Sequence, residues 1–297
     1  MGSTPVYRRS NGHFVRYLII IVVVIALVIV GINLAHKSNT ATPSAANLPA
    51  QTTWKVAPPS LTEAMTKLPA SVFNAIGTTS KTDPVTGLET ITSGGKQPIL
   101  TGTSSTGVKL PEVFYVGADY CPFCAAERWS TIIALSRFGT FSNLGLTASG
   151  ATDIYPKTQT FTFSKSTYIS KYVSFVPVEQ FTNIKSGNGY TPLETLTPAE
   201  NAVFQKYDTA NGDDIPFISF GDQFFQSGSS YSPQALAGLT RKTIADALGN
   251  PSNPVTAAIV ATANYQVAAI CSLTKQQPSK VCDAKGTKAA DEIMKIK

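Results

Sequence analysis

The chain has 297 residues, enough for one large or two small domains. Hydrophobic residues make up 43% of it and charged residues 14%, and the formal net charge is +6. Four of the 24 basic residues lie in the first 37 positions, which hold no acid, so the remainder carries 20 basic and 18 acidic residues. That balance does not fit a basic nucleic-acid-binding domain, and we expect no nucleic acid among the partners.

A long uncharged segment lies near the N-terminus, at residues 17–35. A helix of that length spans about 28 Å, which matches the hydrocarbon core of a bilayer. Three arginines precede the segment and Lys37 follows it, so the positive-inside rule predicts a cytoplasmic tail over residues 1–16. We expect a single-pass signal anchor in the cell membrane with an extracytoplasmic domain. A cleaved signal peptide is the alternative, and both interpretations export the domain.

The residues after this segment predict a tether followed by two helices. Residues 36–60 are rich in Ser, Thr, Ala and Pro and have no apolar period, which is typical of a linker. Apolar residues then recur at helical spacing over 61–76, and Pro69 interrupts them. We therefore predict a helix pair broken near Pro69 and ended by Gly77.

The most informative stretch is a strand, a Cys-x-x-Cys motif and a helix in succession. Residues 113–116 form an apolar run typical of a short buried strand, and helical periodicity continues to Phe138. Cys121 and Cys124 therefore lie where a strand ends and a helix begins. The unpaired N–H groups there, and their partial positive charge, favour a thiolate. We predict that an exposed Cys121 is the nucleophile and that an inward-facing Cys124 is the resolving thiol.

A zinc site is the competing interpretation of Cys-x-x-Cys. It would need two more ligands, usually a second closely spaced pair. The two histidines, His13 and His36, flank the apolar N-terminal segment, and ten residues separate Cys271 from Cys282. Neither arrangement matches a zinc site, so we expect no metal.

The rest of the chain alternates strand and helix signals. A second informative stretch covers residues 213–225, where a strand begins after Ile215-Pro216 and turns at Gly221-Asp222 into another strand. Thr197 and Glu200 form a capping-box pattern at a helix start. The further predictions are strands at 158–163 and 172–178 and helices at 197–207, 233–248 and 254–273.

Two more cysteines lie near the C-terminus. Cys271 ends the predicted helix 254–273, and Pro278 prevents that helix from continuing, so the chain can fold back and bring Cys282 beside Cys271. In an oxidising compartment such thiols normally pair. We predict a structural disulfide. The alternative is a second redox pair that relays electrons to Cys121 and Cys124.

This order of elements resembles the thioredoxin superfamily. The resemblance implies that Pro216 is a cis-proline lying against the redox pair, and that Ile215 presents its backbone to a substrate chain. It also implies that Tyr120 and Phe123 form an apolar lip around the sulfurs. The α/β domain would then cover residues 61–297, with an insertion at about 140–212 and a helical extension at about 251–297.

The sequences YVGADYCPFCAAERW, beginning at Tyr115, and RFGTFSNLG, beginning at Arg137, are similar to a narrower group. This group is the membrane-anchored thioredoxin-like family catalogued as domain of unknown function 929. One departure from thioredoxin concerns the buried acid six residues before its first cysteine, where this chain has Tyr115. Asp119 is expected to be exposed. Proton transfer from Cys124 would then depend on water or Glu127.

We therefore predict a membrane-anchored extracytoplasmic thiol–disulfide oxidoreductase. Cys121 would exchange with thiols or disulfides of client proteins through a mixed disulfide that Cys124 resolves. The chain has no flavin or nicotinamide motif, so we expect no cofactor and a redox partner protein as the source or acceptor of electrons. The alternative from another class is a tethered, non-catalytic binding module that keeps the fold and has structural disulfides.

Overall fold

The computed structural model describes residues 45–78, 85–90, 98–208 and 214–295. The predicted anchor and cytoplasmic tail lie outside these residues. Short 3-10 turns occur at Ala45–Asn47 and Pro233–Leu236. The described α-helices are α1 Pro59–Thr66, α2 Ala70–Ile76, α3 Pro122–Leu135, α4 Pro198–Asp208, α5 Arg241–Ala247, α6 Pro254–Leu273, α7 Ser279–Cys282 and α8 Lys285–Met294.

The described strands form one six-stranded sheet and three two-stranded sheets. They are β1 Glu89–Thr90, β2 Thr101–Thr103, β3 Lys109–Gly117, β4 Gly139–Ser142, β5 Gly145–Ala148, β6 Gln159–Thr162, β7 Thr167–Ser170, β8 Ser174–Glu179, β9 Phe181–Ser186, β10 Gly189–Pro192, β11 Phe217–Phe220 and β12 Phe224–Ser227. The large sheet has the order β1-β12-β11-β3-β2, and β8 also pairs with β3. The small sheets are β4-β7, β5-β6 and β9-β10.

Strand β3 lies at the centre of the large sheet. It runs parallel to β8 and antiparallel to β11, and Tyr115 lies opposite Pro177 on one side and Ile218 on the other. The apolar run 113–116 is completely buried, as its lack of alternation predicts for a strand covered on both faces. The mixed helix-and-sheet class predicted from the sequence is therefore confirmed.

Helices α3 and α6 form the core on one face of this sheet. Ser130 of α3 donates a hydrogen bond to the carbonyl of Ile259 on α6 at 3.0 Å. Within the described part of the chain, α6 is the one helix long and apolar enough to cross a membrane. The most apolar stretch of α6 is 89% buried inside the domain, so α6 is a core helix here.

The insertion predicted at about 140–212 is built mainly of strands, and one of them, β8, is part of the large sheet. It contains most of β4 and all of β5 to β10, with α4 as its one described helix. The capping box at the start of α4 is confirmed, since Thr197 and Glu200 exchange hydrogen bonds at 2.7 and 3.3 Å. The prediction of one helix over 233–248 is wrong. Gly238 adopts a positive φ of 72° and separates the 3-10 turn from α5.

The later part of the predicted tether lies on the domain. The Val56 backbone bridges to Gly145, and the Leu48 side chain is buried. Two insertion side chains hold the segment, because Lys157 donates to the carbonyl of Ala46 and Asn183 donates to that of Ala50. A composition without apolar periodicity therefore does not prevent residues 45–58 from packing, since their backbone groups find partners on the insertion.

Candidate functional site

The Cys-x-x-Cys motif forms the N-terminal end of α3. Cys121 is the N-cap residue, with extended backbone angles, and Pro122 occupies the first helical position. The backbone N–H of Cys124 donates to the Cys121 sulfur at 3.2 Å. The sulfur thus accepts from one of the unpaired N–H groups of the first turn, as an oxygen does in an ordinary N-cap.

The two sulfurs differ in environment. Both cysteines are free thiols; Cys121 is 5% exposed and Cys124 is fully buried. Burial raises the pKa of Cys121, but hydrogen bonds from Cys124 and the charge of Arg128 outweigh it, so the pKa lies below its ordinary value. Burial, the hydrogen bond to Cys121 and the charge of Cys121 raise the pKa of Cys124 well above its ordinary value. This difference is what a nucleophile and a resolving thiol require.

The expectation that Cys121 is exposed is wrong, because its sulfur turns toward the chain that precedes β11. The Ile215–Pro216 peptide bond is cis, as the resemblance implied. The carbonyl oxygen of Ile215 lies 3.5 Å from the Cys121 sulfur. Pro216 is buried, and its carbonyl accepts a hydrogen bond from the N–H of Gly228 at 2.9 Å. The two stretches singled out in the sequence are thus brought into contact.

Two aromatic pairs, which we call the aromatic frame, include Tyr120, next to Cys121 in the chain, and Phe123, between the two cysteines. Tyr120 stacks on Tyr190 with the ring centroids 4.2 Å apart and the planes parallel. Phe123 is 39% exposed and makes an edge contact with Tyr155, with the ring centroids 6.1 Å apart. Tyr155 and Tyr190 both belong to the insertion, and no sequence pattern connects either of them with the motif.

A charge cluster lies buried beside the motif. Arg128 donates to Glu179 through Nε and Nη2 at 2.8 and 2.5 Å, and both side chains are fully buried. The Asp119 carboxyl oxygen lies 3.7 Å from the same guanidinium. The expectation that Asp119 is exposed is wrong, since it is only 8% exposed. Burial, followed by the charge of Glu179, raises the pKa of Asp119 to about 7 against the opposing charge of Arg128.

Glu127 is a second buried acid on α3. Its carboxyl group accepts hydrogen bonds from the N–H of Ser230 at 2.9 Å and from the Gln266 amide at 2.6 Å. Burial raises the pKa of Glu127 to about 7, although the hydrogen bonds from Ser230 and Gln226 oppose it. A role for Glu127 in accepting the proton of Cys124 stays a prediction.

The other two cysteines form the predicted disulfide. Cys271, near the end of α6, is bonded to Cys282 at the end of α7, with the Cα atoms 5.6 Å apart. Both residues are buried. Across the described ranges, no three side chains among His, Cys, Asp and Glu are grouped closely enough to hold a metal ion.

These features define the class of protein: a mixed α/β domain with a paired-thiol site at the start of a buried helix. Residues 103–272, more than half of the chain, match the model of the family described as Domain of unknown function (DUF929), and the chain belongs to this family. No curated protein and no solved structure matches the chain.

Proposed function

We propose that this protein is a thiol–disulfide oxidoreductase with a thioredoxin-like fold. The observation that carries the proposal is the placement of the Cys121 sulfur. It caps a helix N-terminus, accepts from the N–H of Cys124, and lies 3.5 Å from the backbone carbonyl of Ile215. The helix N-terminus and the N–H of Cys124 stabilise a thiolate, and a substrate chain that pairs with Ile215 would bring its own sulfur alongside.

The sheet supports the thioredoxin-like part of this proposal. The strand before the motif, β3, has a parallel neighbour, β8, on one side. On the other side it has the antiparallel β11, which begins directly after Pro216, and β12 follows β11 in a hairpin. The order strand, paired thiols, helix, further strands, cis-proline and hairpin is the one on which the resemblance rests, and the parallel pairing of β8 with β3 agrees with it.

The reaction would proceed in two exchange steps. The Cys121 thiolate attacks one sulfur of a client disulfide, forms a mixed disulfide and releases the second client sulfur as a thiolate. Cys124 gives its proton to that thiolate and attacks the Cys121 sulfur, which releases the first client sulfur as a thiolate. Two electrons pass to the client, and the domain is left with a Cys121–Cys124 disulfide. The reverse sequence oxidises a client dithiol.

The same proposal includes the location and the partners. The uncharged segment 17–35, with arginines before it, would anchor the chain in the cell membrane with the domain on the extracytoplasmic side. Client proteins would supply thiols or disulfides, and a redox partner protein would renew the pair. A thiol reagent that cannot cross membranes should label reduced Cys121 on intact cells, whereas labelling only after lysis would contradict the location.

Trapping of mixed disulfides tests the chemistry. Cys124→Ser leaves the nucleophile without its resolving thiol, so client proteins should accumulate as disulfides with Cys121. Cys121→Ser is the matched control and should trap few. Equal trapping by the two variants, or none by either, would contradict the assigned roles. A non-catalytic binding module would also have a Cys121–Cys124 reduction potential well below the range of exchange enzymes.

A further inference from the structure

One loop connects the redox helix with the peptide that faces Cys121. We call residues 228–231, between β12 and the following 3-10 turn, the clamp loop. At one end the N–H of Gly228 donates to the carbonyl of Pro216 at 2.9 Å. At the other end the N–H of Ser230 donates to Glu127, and the Tyr231 hydroxyl donates to the carbonyl of Ala126 at 2.7 Å. The loop therefore ties the Pro216 peptide to the first two turns of α3.

Glu127 is an unusual residue to accept the hydrogen bond from the clamp loop, because its environment has no cation to pair with its carboxyl group. Its side chain is fully buried, and each neighbouring element offers it polar but uncharged groups: Ser230 from the clamp loop, Gln266 from α6 and Gln226 from β12. On its own helix, Arg128 is paired with Glu179 and Cys124 lies one turn earlier. Burying a carboxyl group without a cation is unfavourable, and an apolar side chain would fill the same space more stably.

We propose that Glu127 is a positioning residue for thiol–disulfide exchange: through the clamp loop, its carboxyl group holds the Ile215–Pro216 peptide beside Cys121, where a client chain pairs. This inference rests on the proposed function. Glu127 does not touch the reacting sulfurs in this role. It acts on client binding, because the Ile215 backbone is useful to a client only at a fixed distance from the Cys121 sulfur.

The protonation state of Glu127 would change how firmly the clamp loop positions the Ile215–Pro216 peptide. The carboxylate accepts stronger, charge-assisted hydrogen bonds from Ser230 and Gln266 than the neutral acid does. Because burial raises the pKa of Glu127 to about 7, the change falls within the physiological range. Client binding should therefore tighten as the pH rises through 7, separately from any effect of Cys121 ionisation on the chemical steps.

The test compares Glu127→Ala, Glu127→Gln and the control Ser130→Ala in the full-length protein, using a disulfide-bonded peptide as the client. Ser130 is also buried on α3 and loses a hydrogen bond to Ile259 of α6, but it does not contact the clamp loop. Loss of one backbone contact with the client should raise KM by roughly three- to tenfold in Glu127→Ala, with kcat changed much less. Ser130→Ala should retain the wild-type KM.

If Glu127→Ala does not fold, two other variants measure the effect of the clamp loop on KM. Tyr231→Phe removes the other hydrogen bond between the clamp loop and α3, and should raise KM in the same direction. Glu127→Gln cannot ionise at this position, so between pH 6 and 8 its KM should fall less than that of the wild type, and Asp119, which titrates in the same range, sets the change that is left.

An unchanged KM in Glu127→Ala and Tyr231→Phe, or a Glu127→Gln profile identical to the wild type, would overturn the positioning role. Absence of any exchange in the wild type would instead overturn the proposed function.

Discussion

The sulfur of Cys121 and the carbonyl oxygen of Ile215 lie 3.5 Å apart, although 94 positions separate the two residues in the chain. The insertion occupies most of that separation, yet the paired thiols and the cis peptide still meet. The contact places the Cys121 sulfur beside the peptide with which we propose a substrate chain to pair. The pKa of Cys121 also depends on residues outside the motif, among them Arg128.

The first prediction concerns Arg128. Its charge lowers the pKa of Cys121, so Arg128→Met should raise that pKa. The variant also leaves Glu179 buried without its partner, which should destabilise the domain by about 3–5 kcal/mol. The pH dependence of Cys121 alkylation gives the pKa, and chemical denaturation gives the stability.

A double variant separates these two effects. Adding Glu179→Leu to Arg128→Met removes the orphaned charge, so part of the lost stability should return while the pKa of Cys121 stays raised. A pKa of Cys121 that is the same in the wild type and both variants would contradict the electrostatic role of Arg128.

The second prediction concerns the pH dependence of stability. Burial raises the pKa of Glu127 from 4.5 to about 7, so between these values the folded state holds a proton that the unfolded state has lost. Stability should therefore decrease as the pH rises from 4.5 to 7 and level off above that. The contribution of Glu127 is on the order of 3 kcal/mol.

Denaturation of the wild type and Glu127→Gln at several pH values isolates this contribution, because the unfolding free energy of the wild type should fall relative to that of Glu127→Gln over that range. Asp119, whose pKa burial raises to about 7, acts in the same direction, and Asp119→Asn removes its share. A difference between wild type and Glu127→Gln that does not vary with pH would show that Glu127 titrates normally.

The third prediction concerns the C-terminal disulfide. Cys271 and Cys282 are 11 positions apart, and closing a loop of that size contributes on the order of 3 kcal/mol. Replacing both with Ala should lower Tm by roughly 5–10 °C and leave exchange at Cys121 nearly intact. Lost turnover with unchanged Tm would instead make this pair the second redox centre.

The fourth prediction concerns the aromatic frame. Tyr190→Ala removes the ring that stacks on Tyr120, so Cys121 should become more accessible and react faster with iodoacetamide. Ile184→Ala on the same hairpin is the control, because that side chain is already exposed and does not take part in the frame. Equal alkylation rates in the two variants would mean that the frame does not cover Cys121.

The cis Ile215–Pro216 peptide was implied by the resemblance to the thioredoxin superfamily, whereas local patterns were sufficient to predict the paired thiols and the C-terminal disulfide. Each depends on a few adjacent residues: a strand end, a helix start, or a proline that stops a helix. The capping box of α4 was predictable for the same reason.

The surroundings of the site could not be predicted in this way. Arg128 and Glu179 are 51 positions apart, and an arginine on a helix is normally a surface residue. Arg128 is buried because α3 packs against the strand that carries Glu179, and helical periodicity in the sequence does not predict that contact. The burial of Asp119 and its raised pKa could not be predicted for the same reason, since Arg128 and Glu179 lie near it only in the folded chain.

The four cysteines differ in bonding and burial, and this determines how many thiols can be counted in the native protein. Cys271 and Cys282 are bonded and buried among the C-terminal helices, whereas Cys121 and Cys124 are free thiols. A thiol count on the native reduced protein should therefore give at most two, and four only after unfolding in reductant. In the form that has the Cys271–Cys282 disulfide but free thiols at Cys121 and Cys124, thiol exchange at α3 can be tested without a contribution from the C-terminal pair.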